Sequence, residues 1–130
     1  MKANHEYNTC KALAMYLKCQ YPKVLFRFDL AGLNLSKAQA GMNKVLQKFR
    51  GYPDLFILEP KKMPDGNFVH GIFLEIKKEG TSLKRKNGNW ESEHLQEQFE
   101  TMQRIEQKGY LCAFAIGFDD ARKLIDDYLK

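Results

Sequence analysis

Cysteine is scarce in this chain: Cys10, Cys19 and Cys112 are odd in number and form no Cys-x-x-Cys pair. That argues against both a disulfide framework and a zinc site, which need sulfur atoms in matched sets. Reduced, half-buried core thiols are expected instead. Long apolar runs are missing too. Nothing approaches the roughly 20 residues that cross a bilayer, and the start Met1-Lys2-Ala3-Asn4-His5-Glu6 lacks the apolar stretch of a secretory leader. A cytoplasmic location without a membrane partner is expected. Histidine occurs only as His5, His70 and His94, without ligand spacing; of these His94, close to Gln98, alone invites a test. The chain also lacks an internal repeat, a low-complexity segment and a dividing linker.

What is present suits one soluble α/β domain spanning 1–130. With 130 residues, 44% hydrophobic and 28% charged, the chain can bury a sizeable core but not two. The net charge of +5 and pI of about 9.1 favour a polyanionic partner, although an excess this small decides little unless it is concentrated in one place.

Apolar spacing outlines the elements. Tyr7, Cys10, Leu13, Ala14 and Leu17 recur at helical intervals between His5 and Gln20, and Pro22 follows the helix they define. Val24 to Phe28 reads as a short strand, expected to be central. Ser36 and Gln39 have capping-box spacing, and the pattern Ala40, Val45, Leu46, Phe49 predicts a helix running to Gly51. Leu55 to Leu58 and Ile72 to Leu74 are unbroken apolar runs on either side of the turn-rich Pro60 to Asn67, the pattern of a long hairpin. Leu95, Phe99, Met102 and Ile105 mark an amphipathic helix ending at Gly109, and the strand Tyr110 to Ile116 follows. Asp119 is expected to cap a last helix that buries Leu124, Ile125, Tyr128 and Leu129. The order α-β-α-β-β-α-β-α implies a central sheet of about four strands flanked by helices.

If the hairpin turns at Pro64-Asp65, residues whose numbers sum to about 129 face each other, so Asp54 lies opposite Glu75. Two carboxylates at one end of buried strands repel each other, and a bound cation would relieve that. Oxygen donors alone suit Mg²⁺ or Mn²⁺, which take one or two carboxylates and complete their shell with water and phosphate. Lys77, two residues beyond Glu75, points to the same strand face and could orient water or offset phosphorane charge. This constellation points to phosphodiester hydrolysis without a covalent intermediate and without an organic cofactor.

Pro53-Asp54, twenty intervening residues and then Glu75-Ile76-Lys77 resemble the PD-(D/E)xK nuclease superfamily. Gly51-Tyr52-Pro53-Asp54-Leu55, the strand Phe73 to Lys77, Gln98 early in the next helix and the Gly109-Tyr110 step narrow the resemblance to the VRR-NUC family. It covers most of the chain and implies a restriction-endonuclease-like mixed-sheet core. It further implies that Asp54, Glu75 and the Ile76 carbonyl bind the metal while Lys77 and Gln98 position water and phosphate. Glu6 is the positional match to a first-helix carboxylate that reaches the metal in many superfamily members. Stand-alone members of this size resemble phage-type homodimers that cut branched DNA such as four-way junctions, which would place this chain in a bacterial host cytoplasm. One departure is the stretch from Leu30 to Arg50, where an inserted helix is expected; it could contact DNA, a partner subunit or only the core.

Each feature has a plainer explanation. Pro-Asp is usually a turn, as Pro64-Asp65-Gly66 is, and that rival pair falls at the hairpin tip, far from Glu75. Glu-x-Lys is common on any charged surface; only the conjunction carries weight. Lys78, Lys84, Arg85 and Lys86 form, with Lys77, the densest basic stretch and suit a phosphate backbone, but short basic loops are often merely solvated, and Trp90 could simply anchor the next helix. Arg27 and Asp29 could pair with each other or touch DNA. Besides the DNA endonuclease, two alternatives stay open: a catalytically silent nucleic-acid-binding module, and a nuclease for RNA or other DNA substrates.

Overall fold

The computed structural model describes residues 2–29, 36–48 and 51–130. Their order is α1 (Lys2–Gln20), β1 (Leu25–Phe28), α2 (Lys37–Val45), β2 (Leu55–Leu58), β3 (Lys61–Lys62), β4 (Phe68–Val69), β5 (Ile72–Lys77), α3 (Glu93–Glu106), β6 (Leu111–Ile116) and α4 (Gly117–Leu129). The expected succession holds, with β3 and β4 added as a small two-stranded extension of the hairpin. The main sheet has the order β1-β2-β5-β6 and is mixed: β1, β2 and β5 run antiparallel, while β5 and β6 are parallel. No helix among the described residues is long and apolar enough to cross a membrane.

Strand alternation decides what each sheet face meets. Leu55, Ile57, Ile72, Leu74 and Ile76 share a core with Leu13 and Leu17 of α1 and Ala121, Ile125 and Tyr128 of α4. Leu124 and Leu129 are only partly buried against it. The hydroxyls of Tyr16 and Tyr21 both donate to Asp126, at 2.7 and 2.5 Å, which ties the end of α1 to α4. On the other side α3 packs on β6, with Trp90 wedged against Phe99 and Phe114 at ring separations of 4.8 and 5.7 Å.

The hairpin register is as expected in β2 and β5, where partners sum to 129, and shifts by one residue in β3 and β4, where they sum to 130. Gly71 stands at the shift. A Cβ there would lie 2.5 Å from the Ile57 carbonyl oxygen, so only glycine lets the strands close at this point. The tip closes through Met63 N–H to the Asn67 carbonyl at 2.7 Å and Asn67 N–H to the Asp65 carboxylate at 2.9 Å.

Several expectations are corrected. β1 is an edge strand, not a central one. It pairs only with β2, its side chains alternate exposed and half-buried, and Leu25 is 68% exposed. A central strand would have had to bury Arg27. The α2 capping box forms as predicted, with Ser36 and Gln39 exchanging hydrogen bonds of 3.0 and 3.1 Å. The helix nevertheless ends at Val45 and buries nothing; Val45 and Leu46 are 84% and 83% exposed, because the apolar pattern does not face the core. Phe49 lies outside the described residues. Asp119 is not the cap of α4. The helix starts at Gly117, whose φ of +84° turns the chain directly out of β6, and Asp120 instead accepts from the Ile116 N–H at 2.8 Å. In α1 the buried stripe begins only at Leu13, leaving Tyr7 49% exposed. Cys10 and Cys112 are half-buried as expected, but Cys19, on the far side of α1 from Leu17, is exposed.

Gly71→Ala should lower stability by about 1–3 kcal/mol, the usual cost of forcing extra volume against an unyielding neighbour, because that neighbour here is backbone of a central strand. Urea denaturation of the two proteins measures it.

Candidate functional site

Asp54 is the residue just before β2, so the β2–β5 register carries it against Glu75. The contact is specific: the Ile76 N–H donates to Asp54 Oδ2 at 2.9 Å, so the carboxylate occupies the position a ladder carbonyl would take. Glu75 is 5% exposed, and two residues on, Lys77 Nζ lies 3.4 Å from Glu75 Oε2. The same-face expectation for Glu75 and Lys77 is thus met in atoms. Gln98 comes from the second turn of α3 and is also 5% exposed. What brings it close is Gly51, whose φ of +80° and missing side chain admit the α3 backbone; a Cβ there would lie 3.0 Å from Gln98 Cα.

These residues line one cavity of about 500 Å³, shared with Glu6, Asp29, Tyr52, His94 and one side of α2. Ala40, Asn43 and Lys44 recur at helical spacing and form that side, and Gln47, just past the helix, continues it. The helix for which contact with DNA, a partner subunit or the core stood open therefore walls the site. The polar face of α2 carries the signal, but the apolar residues of the same helix repeat with the same period and mask it.

The electrostatics are unfavourable as they stand. Four carboxylates, Glu6, Asp29, Asp54 and Glu75, face the cavity against the cations Lys44 and Lys77. Burial, and then the charge of Asp54, pushes Glu75 up from its ordinary 4.5 to about 9. Burial also raises Asp54, against the pull of the Ile76 N–H and Lys77. Glu75 Oε1 and Gln98 Oε1 are buried acceptors with no hydrogen-bond partner among the described residues. Such orphaned acceptors cost roughly 1–3 kcal/mol each unless something electropositive meets them.

That test favours a hard divalent cation. The oxygens of Asp54, Glu75 and the Ile76 carbonyl could hold it, leaving the remaining positions for water and phosphate as Mg²⁺ prefers. Among the described residues no group of three or more His, Cys, Asp or Glu side chains is placed to hold a metal. Glu6 accordingly shares the cavity and its charge reaches Asp54, yet it completes no carboxylate triad with the pair.

Apart from Lys77, the basic stretch does not line this cavity. Lys84 Nζ sits 4.7 Å from the Trp90 ring centroid, Arg85 donates to the Glu91 carbonyl at 3.3 Å, and Trp90 is the anchor of α3 that the plainer explanation anticipated. Lys86 is exposed on the same loop, and Lys78 lines a neighbouring cavity of about 440 Å³ beside Lys77 and Glu79. His94 does line the site, whereas His70 packs edge-on to Tyr110, away from it.

No family model and no curated protein matches the chain. Among solved structures, one described as a VRR_NUC domain protein is similar over 96% of this chain and 88% of its own, with a TM-score of 0.64 and 22% identity. The chain therefore has the fold of that protein: a four-stranded mixed sheet flanked by helices.

A raised carboxyl pKa means that the folded protein holds a proton the unfolded chain has released. Stability conferred by that proton is lost as pH climbs from about 4.5 towards about 9. Metal-free wild type should thus melt at progressively lower temperature across this window relative to Glu75→Gln, and Mg²⁺ or Mn²⁺ should restore it. Thermal denaturation in EDTA at a series of pH values reads the difference.

Proposed function

We propose that the chain is one metal-dependent nuclease domain, a Mg²⁺- or Mn²⁺-dependent endonuclease that hydrolyses DNA phosphodiester bonds. The observation that carries this reading is the opposed pair of half-buried Asp54 and buried Glu75 at one end of the strands, with Glu75 Oε1 unsatisfied among the described residues and Lys77 behind it, in a chain with the fold of a VRR_NUC domain protein.

Asp54, Glu75 and the Ile76 carbonyl would hold the ion. When bound, such an ion supplies Lewis-acid polarisation of the phosphoryl oxygen and eases deprotonation of the attacking water. The protein's own groups do the rest. Lys77, restrained by Glu75, presents an ammonium that orients water and offsets charge growing on the phosphorane. Gln98 is locked by its burial and by the close approach of Gly51, so its amide can hold water or phosphate in a fixed place. Lys44, on the α2 side of the cavity and in no ion pair among the described residues, is suited to a neighbouring phosphate. Glu6 would act at longer range on the same charge balance.

The substrate is branched DNA such as a four-way junction, cut by a homodimer whose two sites nick two strands. The exposed Lys78, Lys84, Arg85 and Lys86 add phosphate contacts outside the cavity. A host cytoplasm is the corresponding location.

Labelled four-way junction, linear duplex and single-stranded DNA incubated with Mg²⁺, Mn²⁺ or EDTA test the proposal. Metal-dependent cutting should appear, with the junction preferred, and Asp54→Ala and Lys77→Ala should each reduce it by at least about 100-fold, the range set by losing a preorganised charge in such sites. Lys44→Ala should cost less, and chiefly in the substrate concentration needed. Tight binding of DNA without cleavage under either metal would replace the enzyme with a silent binding module.

A further inference from the structure

The sheet face that carries Glu75 and Lys77 does not end at the carboxylates. By strand alternation the next residue of β5 on that face is Phe73, and the register places Phe56 of β2 opposite it and Arg27 of β1 opposite Phe56. Phe56 and Phe73 stack at a centroid separation of 4.2 Å with rings 2° from parallel, and Tyr110 meets both edge-on at 5.7 and 5.5 Å. On the opposite face Leu55, Ile57, Ile72 and Leu74 are buried, but here both phenylalanines are only half-buried, since among the described elements α3 packs chiefly on β6.

Two grooves open along this aromatic row and share Tyr52, Phe56 and Phe73. One, of about 170 Å³, reaches Asp54 and Asp29 and so continues the catalytic cavity; the other, of about 280 Å³, runs on to Tyr110. Cations border both: Arg27 on the first, Arg104 and Lys108 on the second, against the single carboxylate Asp29 outside the catalytic pair.

We propose that this aromatic row is a stacking platform for unpaired bases, so that the substrate strand leaves the carboxylate site as single-stranded nucleic acid laid across β5 and β2. Aromatic faces accept any base, and a cationic border follows the phosphates; the two together suit a single strand better than a closed duplex, whose bases are already stacked. Continuity with the Asp54 cavity fixes where that strand must go. The placement rests on the nuclease reading, but the binding does not.

Fluorescence anisotropy in EDTA separates the two. A labelled thymidine oligonucleotide, an abasic strand of equal length and a blunt duplex would be titrated with wild type, Phe56→Leu, Phe73→Leu and the surface variant Lys108→Glu. The normal strand should bind wild type about tenfold or more tighter than the abasic one, and each leucine variant should remove most of that difference while changing duplex affinity less than about twofold. Lys108→Glu should weaken both strands alike. Equal binding of normal and abasic strands by wild type overturns the platform without reference to any variant. So does a leucine variant that alters the oligomeric mass in light scattering while leaving strand affinity intact, which would make the face a protein interface. If wild type shows base-dependent strand binding but never cuts with Mg²⁺ or Mn²⁺, the platform stands and the nuclease reading falls. If cutting is intact and base dependence is absent, the reverse holds.

Discussion

The antiparallel register of β2 against β5 is the constraint on which the rest depends. Because partners sum to 129, the residue preceding β2 meets the carboxylate that interrupts β5, and a slip of one residue would turn Glu75 into the apolar core and Ile76 out of it. The register is held from both sides. Leu55, Ile57, Ile72 and Leu74 are buried on one face, and Gly71 confines the single-residue shift to the place where the main sheet gives way to β3 and β4. The price of that arrangement is two like charges in a desolvated corner, expressed as the raised Glu75 and Asp54.

Other features read as responses to this corner. The Ile76 N–H turns to Asp54, Lys77 folds back on Glu75, and α3 approaches closely enough to set Gln98 beside them only because Gly51 has no side chain. These groups reduce the repulsion without removing it, since Glu75 Oε1 and Gln98 Oε1 still lack donors among the described residues. Buried acceptors left this incompletely satisfied suit an external cation. This is stability given up locally, while the Tyr16, Tyr21 and Asp126 cluster and the apolar face hold the sheet from behind.

The fold was legible where one physical signal governed an element. Unbroken apolar runs identify β2 and β5, the Ser36 and Gln39 spacing identifies the start of α2, and the hairpin sum alone places Asp54 opposite Glu75. Legibility failed where propensity and burial parted. Leu25 and Phe26 look like core residues in a four-residue window, yet the strand order that makes β1 an edge is set by pairing partners far away in sequence. Val45 and Leu46 promise a buried face, but α2 turns its polar side inward to the cavity, an inversion that periodicity cannot distinguish because both faces repeat with the same period. The basic run from Lys84 to Lys86 was conspicuous as composition, but its first lysine is occupied with Trp90 and its arginine with a backbone carbonyl. The cations that border the carboxylate site and its grooves, Lys44, Arg27, Arg104 and Lys108, are scattered over four segments and become a group only through the fold.

The edge position of β1 also bears on what the site can accommodate. With α1 and α4 closing one face and α3 lying over β6, exposure on the opposite face rises, among the described residues, from buried Glu75 through half-buried Phe73 and Phe56 to the exposed Arg27. Had β1 been central, as its composition suggested, a further strand would have extended the sheet beyond Arg27 and that side chain would have needed a buried partner. An edge strand with a charged outward residue also resists pairing with another sheet. The side chain that protects the edge is therefore the one that borders the groove beside Asp54, and on the proposed reading protection of the sheet and contact with the substrate backbone fall to a single guanidinium.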